Sequence, residues 1–420
     1  MLFQQQLAPF SSRNYRLFFA GQIVSLMGSW MTQTAIVWLV YQLTSSPFCL
    51  GMVAFAGQLP GLLIGPVAGV WVDRLNRRQL LIATQVLSML QSLALAWFTL
   101  SEKISVSHLA LLAMVQGVIN AFDMPARQAM PVLLVEKKEQ LASVIAMNVS
   151  MFHLARLVGP AIAGFVIAGL GAGYCFLLDG VSYMAVIAAL VAMRVRQEPV
   201  AKSGASIWRD FRSGLDYALG FGPIRRLILL VGSTALFGMS FAVLTPVYAR
   251  EYFGGDARTL GLLMASSAAG SVISAVYLSS RKSLSGLGRV IYSGAALMGL
   301  ALIAFAFSRN LPLSIGCLVL AGGGSILVLA SSNTLLQNLV DDGKRGRVMS
   351  LFTMAFLGGM PLGSLLTGTL AHQIGTTFAT CFNGFSCLIL GGLFYRQLPA
   401  FRAQARPVLE RSGLLPGVDQ

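Results

Sequence analysis

Residues 69–78 read Gly69-Val-Trp-Val-Asp73-Arg74-Leu-Asn-Arg77-Arg78, and this short charged stretch separates two long apolar segments. One acidic and three basic side chains lie here, whereas the flanking segments carry almost no charge. A basic connection between two apolar segments is typical of a loop at a membrane surface. We therefore expect a hinge between two membrane-spanning helices.

The composition of the whole chain indicates a membrane protein. Of its 420 residues, 56% are hydrophobic and only 11% are charged. A water-soluble domain has about 25% charged residues, so this chain cannot cover its surface with polar groups. Twelve apolar segments between residues 17 and 395 are each long enough to cross a bilayer as a helix. The sequence predicts an all-α polytopic protein with twelve transmembrane helices.

The basic residues are unevenly distributed between the two sides of the predicted membrane. With both termini on one side, that side holds 25 of the 30 Lys and Arg residues. The opposite side holds four, and Arg156 alone lies within a span. The positive-inside rule then places both termini in the cytoplasm. The net charge of +15 is thus explained by topology, and no nucleic-acid partner is expected.

The longest predicted cytoplasmic connection divides the chain into two halves. The expected parts are an N-terminal six-helix bundle, a cytoplasmic linker, a C-terminal six-helix bundle and a cytoplasmic tail, at 1–193, 194–226, 227–395 and 396–420. Within the linker, apolar residues recur at helical spacing between Ser206 and Ala218. This spacing favours an amphipathic helix at the membrane surface over a plain linker.

Two further patterns concern the packing of the predicted helices. Phe, Ala, Leu and Gly match between 151–160 and 351–361 at a separation of 200 residues, in spans five and eleven. Such a match is expected from parallel repeats of a transporter. In span two, a glycine recurs every four residues, at Gly57, Gly61, Gly65 and Gly69. These glycines share one helical face, which predicts a close packing or sliding surface.

The charged stretch itself resembles a known signature. The pattern Gly69-x3-Asp73-Arg74-x2-Arg77-Arg78 is similar to the loop between helices two and three of the major facilitator superfamily. That family usually has Gly where this chain has Asn76, and Asn is the next most tolerant residue for a left-handed turn. The resemblance implies the major facilitator fold and a conformational latch. A purely topological loop would need the arginines but not Asp73.

Other segments resemble the enterobactin-exporter and transmembrane-secretion-effector branch of that superfamily. They are Ser25-Leu-Met-Gly28-Ser-Trp30-Met, Leu43-Thr44-Ser45-Ser46-Pro47, Asp123-Met-Pro125-Ala126-Arg127-Gln128 and Ala155-Arg156-Leu-Val-Gly159-Pro160-x3-Gly164. The last is similar to the fifth-helix motif of exporters and antiporters, with Arg156, Gly159, Pro160 and Gly164 as its members. The resemblance, and not the composition, implies efflux of a small molecule from a bacterial cytoplasmic membrane in exchange for protons.

Two ionisable residues lie well inside the apolar spans, Arg156 in span five and Asp179 in span six. Such residues are costly, are usually paired and are often functional. Counted from the turn at Gly171, their depths differ by roughly 10 Å, which a long arginine side chain can reach. We expect a buried pair that fixes the two helices, with proton coupling through Asp179 as the alternative.

Polar side chains also recur on single faces of spans one and four. They make Gln33, Gln116 and Asn120 candidates for substrate contacts, although such stripes can also join helices to each other. Asp123 and Arg127 lie near the cytoplasmic end of span four, and we expect them to act as a gate.

The expected function is proton-coupled efflux of a small amphipathic molecule, a siderophore or a drug of the macrolide kind, by alternating access. No GxxxxGK[ST] loop is present, so ATP is not expected to drive transport directly. No constellation for intramembrane catalysis is found, and the five cysteines show no CxxC spacing, so neither an enzyme nor a metal or other cofactor is expected. The alternatives are a lysophospholipid flippase and a non-transporting receptor of the same fold. We expect a monomer in the bilayer.

Asp73 distinguishes a latch from a topological loop. The substitution Asp73→Asn keeps the arginines that set orientation, so we expect normal insertion with impaired transport. Membrane abundance and export from cells measure the two effects separately. Full transport by the variant would contradict the latch, and the loop would then be explained by membrane topology alone.

Overall fold

The computed structural model describes residues 8–72, 75–134, 140–193, 207–281 and 283–411. Every regular element within these ranges is helical. Twelve of the described helices are long and apolar enough to cross a membrane, as the sequence predicted. The predicted all-α polytopic fold class is confirmed.

The first six spanning helices follow one another with short connections. They are α1 Arg13–Thr44, α2 Pro47–Val72, α3 Arg77–Leu100, α4 Val106–Leu133, α5 Leu141–Leu170 and α6 Ala172–Ala192. A surface helix, α7, follows at Ile207–Gly220. The seventh span, Gly222–Tyr252, begins with α8 at Gly222–Ser233 and continues through π and 3-10 turns to Tyr252. The remaining helices are α9 Ala257–Ser280, α10 Leu287–Phe307, α11 Leu311–Leu339, α12 Asp342–Ile374 and α13 Thr376–Arg411.

The chain forms two compact units. Unit 1 comprises Met1–Lys202 together with Pro246–Ala265, and unit 2 comprises Ser203–Thr245 together with Ser266–Gln420. The predicted bundles differ from these units mainly because Pro246–Ala265 packs with the first unit. In unit 2, the last helix continues past the predicted end of its span as far as Arg411 and buries Phe401 and Leu409 in an apolar core.

Polar side chains cap the helices and explain where they begin. Asn76 has an extended backbone, with φ −66° and ψ 107°, and its side chain accepts hydrogen bonds from the backbone N–H groups of Arg78 and Gln79. Asn76 therefore serves as the N-cap of α3, and its backbone is not left-handed. Ser105 caps α4 in the same way, by accepting from the N–H of His108.

Glycines allow α2 and α4 to approach each other. A Cβ atom built on Gly117 would overlap the carbonyl oxygen of Gly57. Farther along the predicted glycine face, a Cβ on Gly61 or Gly65 would have no heavy atom within 4 Å. Within the described residues, the face is thus used for close packing at Gly57 and is open at the next two positions. The surroundings of Gly69 lie outside the described residues.

The two halves use their matched glycines in the same way. A Cβ on Gly159 of α5 would lie 2.6 Å from the Cβ of Trp30, on α1. A Cβ on Gly359 of α12 would lie 2.5 Å from the carbonyl oxygen of Gly232, on α8. In each unit the fifth spanning helix therefore packs closely on the first. This equivalence supports the internal repeat inferred from the sequence.

We expect Gly117→Ala to destabilise the protein by about 1–3 kcal/mol, because the added methyl group displaces the backbone of α2. Gly61→Ala is the matched control, since its methyl group enters open space and removes a flexible residue from a helix. Thermal unfolding of the purified proteins in detergent measures the difference. Equal unfolding midpoints for the two variants would contradict the close approach of α2 and α4.

Candidate functional site: a polar cavity in unit 1

A cavity of about 360 Å³ lies within unit 1, and all six of its first helices contribute to the wall. The three predicted substrate contacts, Gln33, Gln116 and Asn120, all lie on this wall. Gln116 Nε2 donates hydrogen bonds to Asn120 Oδ1 and Ser88 Oγ, both at 3.1 Å. The structure thus brings the three amide side chains to one cavity, and their contact with substrate remains a prediction.

Asp179 lies on the same wall and is only 1% exposed. Its Oδ2 accepts hydrogen bonds from Thr32 Oγ1 at 2.9 Å and from Ser92 Oγ at 2.7 Å. Among the described residues, Oδ1 accepts no hydrogen bond. Gly28 leaves room for this carboxyl group, since a Cβ there would lie 2.6 Å from Oδ1. The carboxyl group is therefore buried between helices with neutral hydroxyl partners.

The expected ion pair between Arg156 and Asp179 is wrong. The guanidinium of Arg156 lies over the ring of Trp30, 5.8 Å from its centroid. Trp30 and Thr32 are two residues apart on α1, so their side chains point about 200° apart around that helix. The prediction considered only the depth of each residue along its helix. In the structure, Arg156 contacts Trp30 and Asp179 contacts Thr32, so the two charged groups face different sides of α1.

The predicted gate residues do contact each other. Arg127 pairs with Asp123 one helical turn earlier on α4. Asp123 is 1% exposed and also accepts from Thr84 Oγ1 at 2.8 Å and Gln85 Nε2 at 2.7 Å. Arg127 reaches the cavity wall, and the pair thereby joins α3, α4 and the cavity. Its role as a gate remains a prediction.

Only part of the predicted latch lies in the described residues. Asp73 and Arg74 lie outside them, Gly69 is within α2, and Arg77 is the first residue of α3. Arg78 donates from Nε to the carbonyl oxygen of Leu190 at 2.7 Å and from Nη2 to that of Val191 at 2.8 Å. A cation at the C-terminal end of a helix is favourable. Arg78 thus fixes the start of α3 to the end of α6.

The rest of the fifth-helix motif packs against the start of α9, which belongs to the same unit. A Cβ on Gly164 would lie 2.7 Å from the carbonyl oxygen of Ala257. A Cβ on Gly261 would overlap the carbonyl oxygen of Pro160. Nearby in the chain, Glu251 accepts a hydrogen bond from the buried hydroxyl of Tyr41. No sequence signal links these last two residues, which are 210 positions apart.

Thr32 and Ser92 were missed by the sequence interpretation, although spacing could have found them. Thr32 follows Ser29 by three residues on the polar face of α1. Ser92 belongs to a polar stripe on α3 that was not singled out: Thr84, Gln85, Ser88, Gln91 and Ser92. All five of these α3 residues are buried. A polar stripe that is buried in a spanning helix indicates partners on its neighbours.

Twelve spanning helices, the first six of which line a cavity, define a polytopic membrane protein. Solved structures share this fold. A bacterial homologue of the iron transporter ferroportin, in an inward-facing state, superposes with a TM-score of 0.71 at 18% identity, covering 91% of this chain and 98% of that one. The family profile described as transmembrane secretion effector matches residues 4–411, so the chain belongs to this family of the major facilitator superfamily.

Curated relatives extend over nearly the same length. A staphyloferrin A transporter of Staphylococcus aureus is 26% identical over 383 residues, covering 90% of this chain and 95% of the relative. Macrolide efflux protein A of Streptococcus pyogenes is 26% identical over 367 residues, covering 85% of this chain and 89% of that relative. The chain is a multi-pass protein of a bacterial membrane, in a family of small-molecule transporters.

Arg127→Gln leaves the buried carboxylate of Asp123 without its cation. We expect a loss of about 2 kcal/mol of stability, less than for a fully buried pair because Arg127 is partly exposed. The double substitution Asp123→Asn with Arg127→Gln removes both charges and should restore most of the loss. Thermal unfolding of the unsubstituted protein, Arg127→Gln and the double variant measures the change in stability. An unfolding midpoint of Arg127→Gln equal to that of the unsubstituted protein would show that the pair contributes little.

Proposed function

We propose that the protein exports a small amphipathic molecule from the cytoplasm and takes up protons in exchange. The observation that carries this proposal is the cavity in unit 1, where a buried carboxyl group without a cationic partner lies beside amide and aromatic side chains. Membership of a transporter family and the efflux function of curated relatives support the outward direction. A siderophore and a macrolide-like drug are the two substrate classes to test.

The cavity wall suits a molecule with polar and apolar parts. Gln33, Gln116 and Asn120 offer amide groups that can donate or accept hydrogen bonds. Trp30 and Phe152 provide aromatic faces on the same wall, with ring centroids 5.8 Å apart in an edge-to-face arrangement. Such a combination of apolar lining and few polar groups is typical of small-molecule sites.

Asp179 is the proposed proton carrier. An isolated carboxylate in an apolar environment is costly, whereas a protonated carboxyl group is not. Thr32 and Ser92 can serve both forms, since a hydroxyl group donates to a carboxylate and can turn to accept from a carboxylic acid. The side chain can therefore gain and lose a proton without leaving its site.

Three further features belong to the same proposal. Both termini lie in the cytoplasm, as the distribution of basic residues favours. The protein works as a monomer. Gly69, Asp73, Arg74, Arg77 and Arg78 form a latch that stabilises one state of the alternating-access cycle.

A deletion strain tests the function. We expect loss of the protein to reduce secretion of a siderophore or to raise susceptibility to members of a compound panel, and the intact gene to restore both. Normal secretion and normal susceptibility in the deletion strain, with expression confirmed in the parent, would overturn the proposed substrates.

Asp179→Asn keeps the shape of the side chain and one oxygen that can accept from Thr32 and Ser92, but an amide does not take up a proton. We expect proton-driven export to fall to the level of the deletion strain, while binding of the exported compound is retained. Proteoliposomes with an imposed pH gradient provide the measurement. Asp256→Asn, at an exposed acidic residue before α9, is the matched control and should leave export unchanged. Full export by Asp179→Asn would exclude it as the carrier.

A further inference from the structure

Arg156 lies near the middle of the fifth candidate span, Ser143–Leu170. The guanidinium carbon lies 5.8 Å from the centroid of the Trp30 ring, and Trp30 lies on the cavity wall. Phe152, one turn earlier on the same face of α5, lies on that wall too. A positive charge is thus placed next to a residue of the cavity wall, at the depth where a charged group is most costly in a membrane.

The protein supplies no acidic partner for this charge within the described residues. Asp179 bonds to Thr32 and Ser92, and Asp123 pairs with Arg127. The contact with Trp30 leaves the positive charge of Arg156 in place, and a charged side chain at the centre of a span is costly. The fold therefore tolerates a cation that its own side chains only partly compensate.

The internal repeat shows that packing does not require the arginine. Gly159 and Gly359 occupy matched positions on the fifth helix of each unit, and each admits the first helix of its unit. Three residues before Gly359, the counterpart of Arg156 is Phe356. An apolar side chain thus serves this position in the equivalent packing of unit 2. The arginine in unit 1 calls for a different explanation, and its place beside the cavity suggests a ligand.

The local packing places the guanidinium of Arg156 beside the aromatic residues of the cavity wall. Because Gly159 has no side chain, the backbone of α5 lies directly against Trp30, and Phe152 meets the indole edge-to-face. The guanidinium of Arg156 lies 5.8 Å from the centroid of that indole ring. Arginine presents these N–H groups as a fork that matches the two oxygens of a carboxylate.

We propose that Arg156 and Trp30 form a binding site for a carboxylate group of the transported molecule. The proposal rests on the proposed export function and narrows its substrate to amphipathic carboxylates. The carboxylate binds beside Trp30 and α5, whereas Asp179 bonds to Thr32 and Ser92 elsewhere on the cavity wall. Substrate anion and proton carrier are therefore not in direct contact, and the amide side chains of Gln33 and Gln116 remain for the neutral parts of the molecule.

Two fluorescent probes of nearly equal size test the site: dansylglycine, which has a carboxylate, and dansylglycinamide, which does not. The full chain is placed in phosphatidylcholine nanodiscs and titrated with each probe. We expect the protein to bind dansylglycine at least about tenfold more tightly, as expected for hydrogen bonds to a charged group. Arg156→Gln should abolish this preference, and Arg156→Lys should keep part of it because the charge remains.

Arg258→Gln is the matched control. Arg258 also lies 5.8 Å from the centroid of an aromatic ring, that of Phe165, but its side chain is exposed and lies beside Asp256. This variant should keep the full preference for dansylglycine. Unfolding midpoints identify any variant that has lost its fold, and Arg156→Lys then carries the test if Arg156→Gln is unstable.

Several results would overturn the proposal. They are equal affinities for the two probes, no binding of dansylglycine, or an unchanged preference in Arg156→Gln. Loss of the preference when phosphatidylglycerol is added to the nanodiscs would assign the arginine to a lipid headgroup instead. Failure of export in cells, with the probe preference intact and dependent on Arg156, would overturn the transport function while the carboxylate site stands.

Discussion

The burial of one carboxyl group in an apolar bundle is the constraint on which unit 1 depends. The hydrogen bonds from Thr32 and Ser92 to Asp179 join α1, α3 and α6 at one point. These bonds require close packing of α6 on both neighbours, which is observed. Gly28 makes the approach of α1 possible, since a Cβ there would collide with the carboxyl group. Asp179 therefore links three helices of unit 1 and is also part of the cavity wall.

The spanning helices could be predicted from sequence, because a bilayer imposes a minimum length and an apolar composition on each of them. The residues that face the cavity were also partly predictable, since the three amide side chains follow helical periodicity. The contact of Arg156 with Trp30 could not be predicted, because sequence separation gives the depth of a residue along its helix but not which face of a neighbouring helix it meets. Asn76 shows a related limit, since the same residue type suits a left-handed turn and an N-cap.

The surface helix illustrates how local pattern and tertiary contact differ. The apolar and polar spacing of the linker predicts a helix, and α7 forms where it was expected. Two of its polar contacts are with the start of α12: Arg347 donates to Ser213 Oγ at 3.0 Å, and the ammonium group of Lys344 lies 4.2 Å from the ring centroid of Tyr217. These polar contacts join residues more than 120 positions apart, and no periodicity encodes them.

The two units share a packing scheme but differ in their buried chemistry. In the described part of unit 2, the buried polar side chains are hydroxyl groups and the amide of Asn383, which pairs with Thr367. In unit 1 the same kind of bundle also buries two carboxyl groups. Packing alone does not require these carboxyl groups, because the equivalent helices of unit 2 pack with neutral side chains. Ionisable residues within spans are often functional, so the chemistry of transport is expected to lie in the first half of the chain.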